Sequence, residues 1–117
     1  MRRSTSQIVI TPEATTIAAE MQRLLGQQLT TVIAGVADAR EVGDWARGTG
    51  RPHPNAEKRL RGGYQVAMLL ASVDPVDVVR AWFVGTNPEL DDRPPALVLA
   101  EDPERVINAA RVFVDHG

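Results

Sequence analysis

Residues 55–73 read NAEKRLRGGYQVAMLLASV, and this stretch decides the architecture. Leu60, Tyr64, Ala67, Met68 and Ala71 recur at the α-helical period and predict one apolar stripe. Val66, Leu69, Leu70 and Val73 widen that stripe until the carboxyl end is apolar nearly all round, as in a helix central to a bundle. Asn55 is expected to cap it. Gly62-Gly63 interrupts the pattern. Each glycine costs about 1 kcal/mol relative to alanine and is expected to weaken or kink the helix, yet the pair also lets a second helix approach closely.

The same punctuation continues on both sides. Upstream, Thr11-Pro12-Glu13 sets a capping hydroxyl before a proline at the first helical position. Ile17, Met21, Leu24 and Leu25 then follow at helical spacing as far as Gly26. Leu29–Val36 (LTTVIAGV) has the β-branched composition of a strand; between helical neighbours it is expected to be helix. Asp38 is placed to cap Ala39–Arg47, which Gly48 ends. Downstream, Asp74-Pro75 and Asp102-Pro103-Glu104 repeat the cap-and-proline device. They open helices through Val76, Val79, Trp82 and Phe83 to Gly85, and through Val106, Ile107, Ala110, Phe113 and Val114. Asn87-Pro88-Glu89-Leu90 and Arg93-Pro94-Pro95 are turn chemistry. Trp82, Leu90, Val106, Ile107, Ala110 and Phe113 are expected in the core. The prediction is an all-α fold: a flexible N-terminus at 1–10, an N-terminal half at 11–61, and a small helical domain at 62–117 packed against it.

At 117 residues and 44% hydrophobic, the chain can bury a core without staples. It has no cysteine, which removes disulfides, thiolate nucleophiles and thiolate zinc sites. Arg2 and Arg3 are followed by only three apolar residues, Ile8-Val9-Ile10, too few for a signal sequence. Nowhere do 18 apolar residues run together, so a cytoplasmic location with no membrane contact is expected. His53 stands in a proline-rich loop and His116 at the penultimate position, neither with a second histidine at helical spacing; the serines lack a G-x-S-x-G setting, and no glycine-rich phosphate loop follows a strand. Neither catalysis, metal nor cofactor is expected.

Charge is unevenly laid out. Residues 40–61 carry six basic against three acidic residues; residues 62–117 carry four against nine. A basic middle and an acidic end suggest two surfaces for two partners. The stretch 29–48 has the proportions of a helix-turn-helix, with Val42 and Trp45 facing inward and Arg40, Glu41, Gly43, Asp44 and Arg47 outward. Arg40 suits guanine, and carboxylates such as Glu41 and Asp44 suit cytosine while repelling phosphate. Arg47, Arg51, Lys58 and Arg59 suit phosphates. A helical hairpin with a solvated charged face fits the same spacing.

The run Ala39-Arg40-Glu41-Val42-Gly43-Asp44-Trp45-Ala46-Arg47-Gly48, then Arg51-Pro52, resembles the second helix and following loop of Xre-type helix-turn-helix proteins. The later order Trp82…Asn87-Pro88-Glu89-Leu90…Pro94-Pro95-Ala96-Leu97, closed by an aliphatic helix through Phe113, resembles the toxin-binding domain of the Xre/MbcA/ParS antitoxin family. That resemblance implies an antitoxin of a type II pair. It would mask the active site of a RES-type toxin that consumes NAD, and repress its own operator DNA as a homodimer. Carried onto this sequence, the toxin contact comprises Asn87, Arg93, Arg111, Phe113, His116 and Gly117. The alternative is a stand-alone DNA-binding regulator whose C-terminal helices mediate dimerisation.

Overall fold

The computed structural model describes residues 13–116, so the expected N-terminal segment 1–10, the Thr11-Pro12 cap and Gly117 lie outside it. Among the described residues the chain is all-helical. Helix α1, Ala14–Leu25, buries Ala14, Ile17, Ala18, Met21 and Leu25 and stops at Gly26. Helix α2, Gln27–Ala34, resolves the strand-or-helix ambiguity of its composition. Thr30 and Thr31 are buried, and each hydroxyl donates to the carbonyl four residues back, Gly26 O at 2.8 Å and Gln27 O at 2.7 Å. The helix therefore satisfies both side chains without a partner strand. Gly35, at φ 74°, ends α2, and helix α3, Ala39–Arg47, begins four residues on. Asp38 caps α3 as expected, accepting from the Arg40 N–H at 2.9 Å, and Gly48 closes it.

Helix α4, Pro54–Ala71, is the long central element. Its cap differs from the expected Asn55: His53 Nδ1 accepts the Ala56 N–H at 3.2 Å, because Pro54 already occupies the first helical position. The glycine pair does not break it, and residues 61 and 62, where the sequence suggests a division, lie inside one unbroken helix. The buried seam is Ala56, Leu60, Gly63, Ala67 and Leu70, flanked by Gly62 and Val66. Tyr64 and Met68 are only half-buried and Ala71 is exposed, so the seam is rotated from the expected stripe. Gly63 faces the neighbouring helices where Tyr64 was expected to.

Helix α5, Val76–Val84, follows; here the cap-and-proline expectation fails. Pro75 is the cap residue and makes no side-chain cap, while the Asp74 N–H donates to Leu70 O at 3.0 Å and finishes α4 instead. The device does operate at helix α7, Pro103–His116, where Asp102 Oδ1 accepts from the Arg105 N–H at 3.2 Å. Between α5 and α7 lie a 3-10 turn, Pro88–Leu90, and the short helix α6, Pro95–Val98. Helix α4 packs against α1, α2, α5 and α7, and α1 also covers α3. Phe83, Ile17, Met21, Ile33, Leu60 and Leu70 are among the largest fully buried side chains.

A methyl group on Gly63 would sit 2.8 Å from Ile33 Cγ2 and 2.9 Å from Met21 Cε; on Gly62 it would meet Pro103 Cβ at 3.1 Å. Overpacking costs about 1–3 kcal/mol, against the roughly 1 kcal/mol that alanine ordinarily gains over glycine in a helix. Gly63→Ala is therefore expected to lose about 1 kcal/mol in urea unfolding, and more than Gly62→Ala. Equal or increased stability for Gly63→Ala would mean that the crossing tolerates a side chain.

Candidate functional site

The region after α5 is built by local chemistry. Helix α5 buries Val79 and Phe83, but its sequence VDVVRAWFV holds more apolar side chains than one face can cover. Trp82 is left half-buried on the flank. It meets Phe83 edge-on, with ring centroids 5.6 Å apart, and Phe113 of α7 at 6.3 Å. Past Gly85 the chain turns at Asn87, whose Oδ1 accepts from the Glu89 N–H at 2.9 Å and whose carbonyl accepts from the Asp92 N–H at 2.8 Å. This is the side-chain-to-backbone turn expected of Asn-Pro. Leu90 is buried beneath it, Asp91 and Asp92 adopt left-handed backbone at φ 58° and 61°, and Asn87 and Arg93 pair in an antiparallel bridge.

Two arginines clamp the loop. Arg105 of α7 donates to Asp91 Oδ2 at 2.8 Å, and Arg93 forks onto Glu101, donating to Oε1 at 2.8 Å and also to Oε2. The Arg105 hydrogen bond holds the Asp91 carboxyl below its ordinary value, and the Arg93 hydrogen bond does the same for Glu101. Between this loop and α7 opens a groove of about 330 Å³ with Trp82 and Phe113 among its walls, Ala109 and Val112 along α7, and Thr86 to Glu89 opposite.

Of the residues assigned to toxin contact, Asn87 and Phe113 come together in this groove. Arg93 joins the loop through its backbone, but its guanidinium turns to Glu101. Arg111 lies outside the groove lining, beside Asn108 Oδ1 at 3.1 Å, and His116 is exposed with Nδ1 3.1 Å from Val112 O. Trp82 and Phe113, expected in the core, pack against it half-buried and also line the groove. Val112 and Ala109 carry no motif of their own; the signal for them is the surplus of apolar residues on α5 and at the end of α7.

The second region is α3 and the start of α4. Val42 and Trp45 are buried as expected, and so is Gly43, which was expected on the outside. The outward side carries Arg40, Glu41, Asp44 and Arg47. Arg40 folds back onto its own cap, Asp38, at 2.9 Å, and Arg47 pairs with Asp44 at 2.6 Å. Hydrogen bonding to Arg40 lowers the Asp38 pKa, and the same contact raises that of Arg40. Arg59 is drawn inward: its Nη1 donates to Ala34 O at 3.3 Å, finishing α2, and lies where a Cβ on Gly35 would be 2.5 Å away. Arg51 and Lys58 remain exposed on an open groove of about 580 Å³ with Pro52, Pro54, Glu57 and Arg61. Arg61 is held by Glu57 Oε2 at 2.8 Å. Among the described residues no three His, Asp or Glu side chains gather in a group able to hold a metal ion, and no helix is long and apolar enough to cross a membrane.

These features define a small all-α unit with an aromatic-walled groove at one end and a cationic groove at the other. Its fold matches a solved one. It superposes with a TM-score of 0.75 on a chain from the crystal structure of the M. tuberculosis MbcT-MbcA toxin-antitoxin complex, at 23% identity, covering 91% of this chain and 97% of that one. No family model and no curated protein sequence matches. The all-helical architecture implied by the sequence resemblance is thus the one found.

Asp91 titrates lower in the folded chain than in the unfolded one, so its tie to Arg105 contributes above the ordinary carboxylate range and is lost as pH falls through the depressed value. Below about pH 4, hydrogen-exchange protection of the Leu90, Asp92 and Arg93 amides is expected to drop. In Arg105→Ala the protection should already be low at neutral pH. Unchanged protection in that variant would show that the loop does not rely on this clamp.

Proposed function

We propose that this chain is an antitoxin that neutralises a partner protein by occupying its surface, without chemistry of its own. The observation that carries this reading is the correspondence of its fold, over 91% of the chain, with a chain from a toxin–antitoxin complex. The groove supports it, because half-buried aromatic side chains beside a rigid loop are the anchors that protein interfaces favour. Asn87, Phe113, Trp82 and Val112 form the centre of the toxin contact, and Arg93, Arg111 and His116 its rim; the resemblance assigns Gly117 to the same contact. A RES-type toxin that consumes NAD is the partner that the sequence resemblance implies. The acidic balance of residues 62–117 suits a cleft that accepts an anionic dinucleotide.

The same chain represses its own operator as a cytoplasmic homodimer, with α2 and α3 as the helix-turn-helix. The DNA-facing part, 11–61, and the toxin-facing part, 62–117, meet inside α4 and share one core.

Co-expression with the protein encoded beside it is the test. The wild-type chain is expected to restore growth and to co-purify with that protein. Val112→Glu puts a carboxylate on the groove wall at a position already 38% exposed, so the fold is kept. It is expected to weaken the complex roughly tenfold or more, as loss of an interface anchor does. A neighbour that is neither captured nor neutralised by the wild type would remove the antitoxin reading.

A further inference from the structure

We infer that the chain meets the phosphate backbone of duplex DNA through Arg51 and Lys58, in the groove at the start of α4, and not through the guanidinium groups of α3. The inference rests on the operator-binding part of the proposed function and assigns its contact surface.

The first ground is how the chain spends its positive charge. Among the described residues, every other arginine is engaged with the protein, by an ion pair or by a hydrogen bond. Arg51 and Lys58 have neither, and both are exposed on the same groove. Phosphate contacts draw their free energy from released counterions, which requires cations not already neutralised by a neighbouring carboxylate.

The second ground is the state of α3. Its outward side and cap present two guanidinium groups against the carboxylates of Asp38, Glu41 and Asp44. For Arg40 to reach a phosphate it must leave Asp38, exposing a carboxylate to the same polyanion. The Arg47–Asp44 pair poses the same difficulty. The carboxylate lining the groove is Glu57, which Arg61 covers; Glu13 and Glu101 line smaller neighbouring depressions that Arg51 and Lys58 also border, and Glu101 is taken up by Arg93.

The third ground concerns the kind of partner. The walls of the groove are prolines and charged side chains, with no aromatic, leucine or methionine. Protein partners hold by buried apolar anchors, which this surface lacks; a repeating polyanion needs only spaced cations. Duplex DNA therefore fits better than an acidic protein segment.

The test is a salt titration of the full-length chain on random-sequence duplex DNA, read by fluorescence anisotropy. Wild type is compared with Arg51→Ala/Lys58→Ala, with Arg40→Ala/Arg47→Ala, and with Arg23→Ala as a charge control; circular dichroism verifies the fold of each. The groove pair is expected to make the log–log slope shallower by about 2, since each contact contributes about 0.9, while Arg23→Ala leaves it unchanged. An α3 pair that moves the slope as much as the groove pair, or more, overturns the inference and leaves DNA binding standing. So does a groove pair that keeps the wild-type slope but loses capture of the toxin, which would give the groove to an acidic protein. A wild-type chain with no affinity for any duplex removes the operator reading and this inference together.

Discussion

Helix α4 can lie at the centre only because its backbone comes within side-chain distance of α1, α2 and the start of α7 at one level. At Gly62 and Gly63 the space that a Cβ would need is filled by Met21, Ile33, Leu99 and Pro103. The helix accepts two poor helix formers to gain that approach, and the loss in propensity is offset by interdigitation with the fully buried Met21, Ile33 and Leu99 and the half-buried Pro103. The rotated seam follows from the same constraint. With Gly63 turned inward, Tyr64 moves to the flank, and Leu60, Ala67 and Leu70 become the inward row.

From that axis the two ends of the molecule acquire opposite characters. Just before α4 and in its first turns, Arg51 and Lys58 stand exposed beside Pro52 and Pro54. Beyond its last turn, α5 returns with an aromatic surplus that the core cannot absorb, and the Asn87–Arg93 loop stands over it, clamped by Arg105 and Arg93. The exposed clamps contribute little to stability in water. Their effect is positional: they fix one wall of a groove whose other wall is a helix.

Much of this was legible from residue order alone. The helix spans, the Asp38 and Asp102 caps, the Asn87 turn and the inward pair Val42–Trp45 all rest on local rules. What escaped was decided by neighbours distant in sequence or by competition between adjacent groups. His53 takes the cap from Asn55 because proline at the first helical position shifts the helix start by two residues. Asp74 serves the end of one helix instead of the beginning of the next. The placement of Trp82 and Phe113 depends on how much apolar surface α4 and α7 leave uncovered, which no single periodic pattern encodes. Arginine counts are equally silent about which charges are consumed within the fold, so Arg59 read as a surface cation although it finishes α2.

The unbroken run of α4 from the cationic groove to the turn before α5 has a thermodynamic corollary. Two surfaces carried on one cooperatively folded rod share a single unfolding equilibrium. A molecule bound at either end withdraws the whole chain from the unfolded pool, so occupancy at one end slows proteolytic turnover of the other by mass action alone, with no change of shape passing between them.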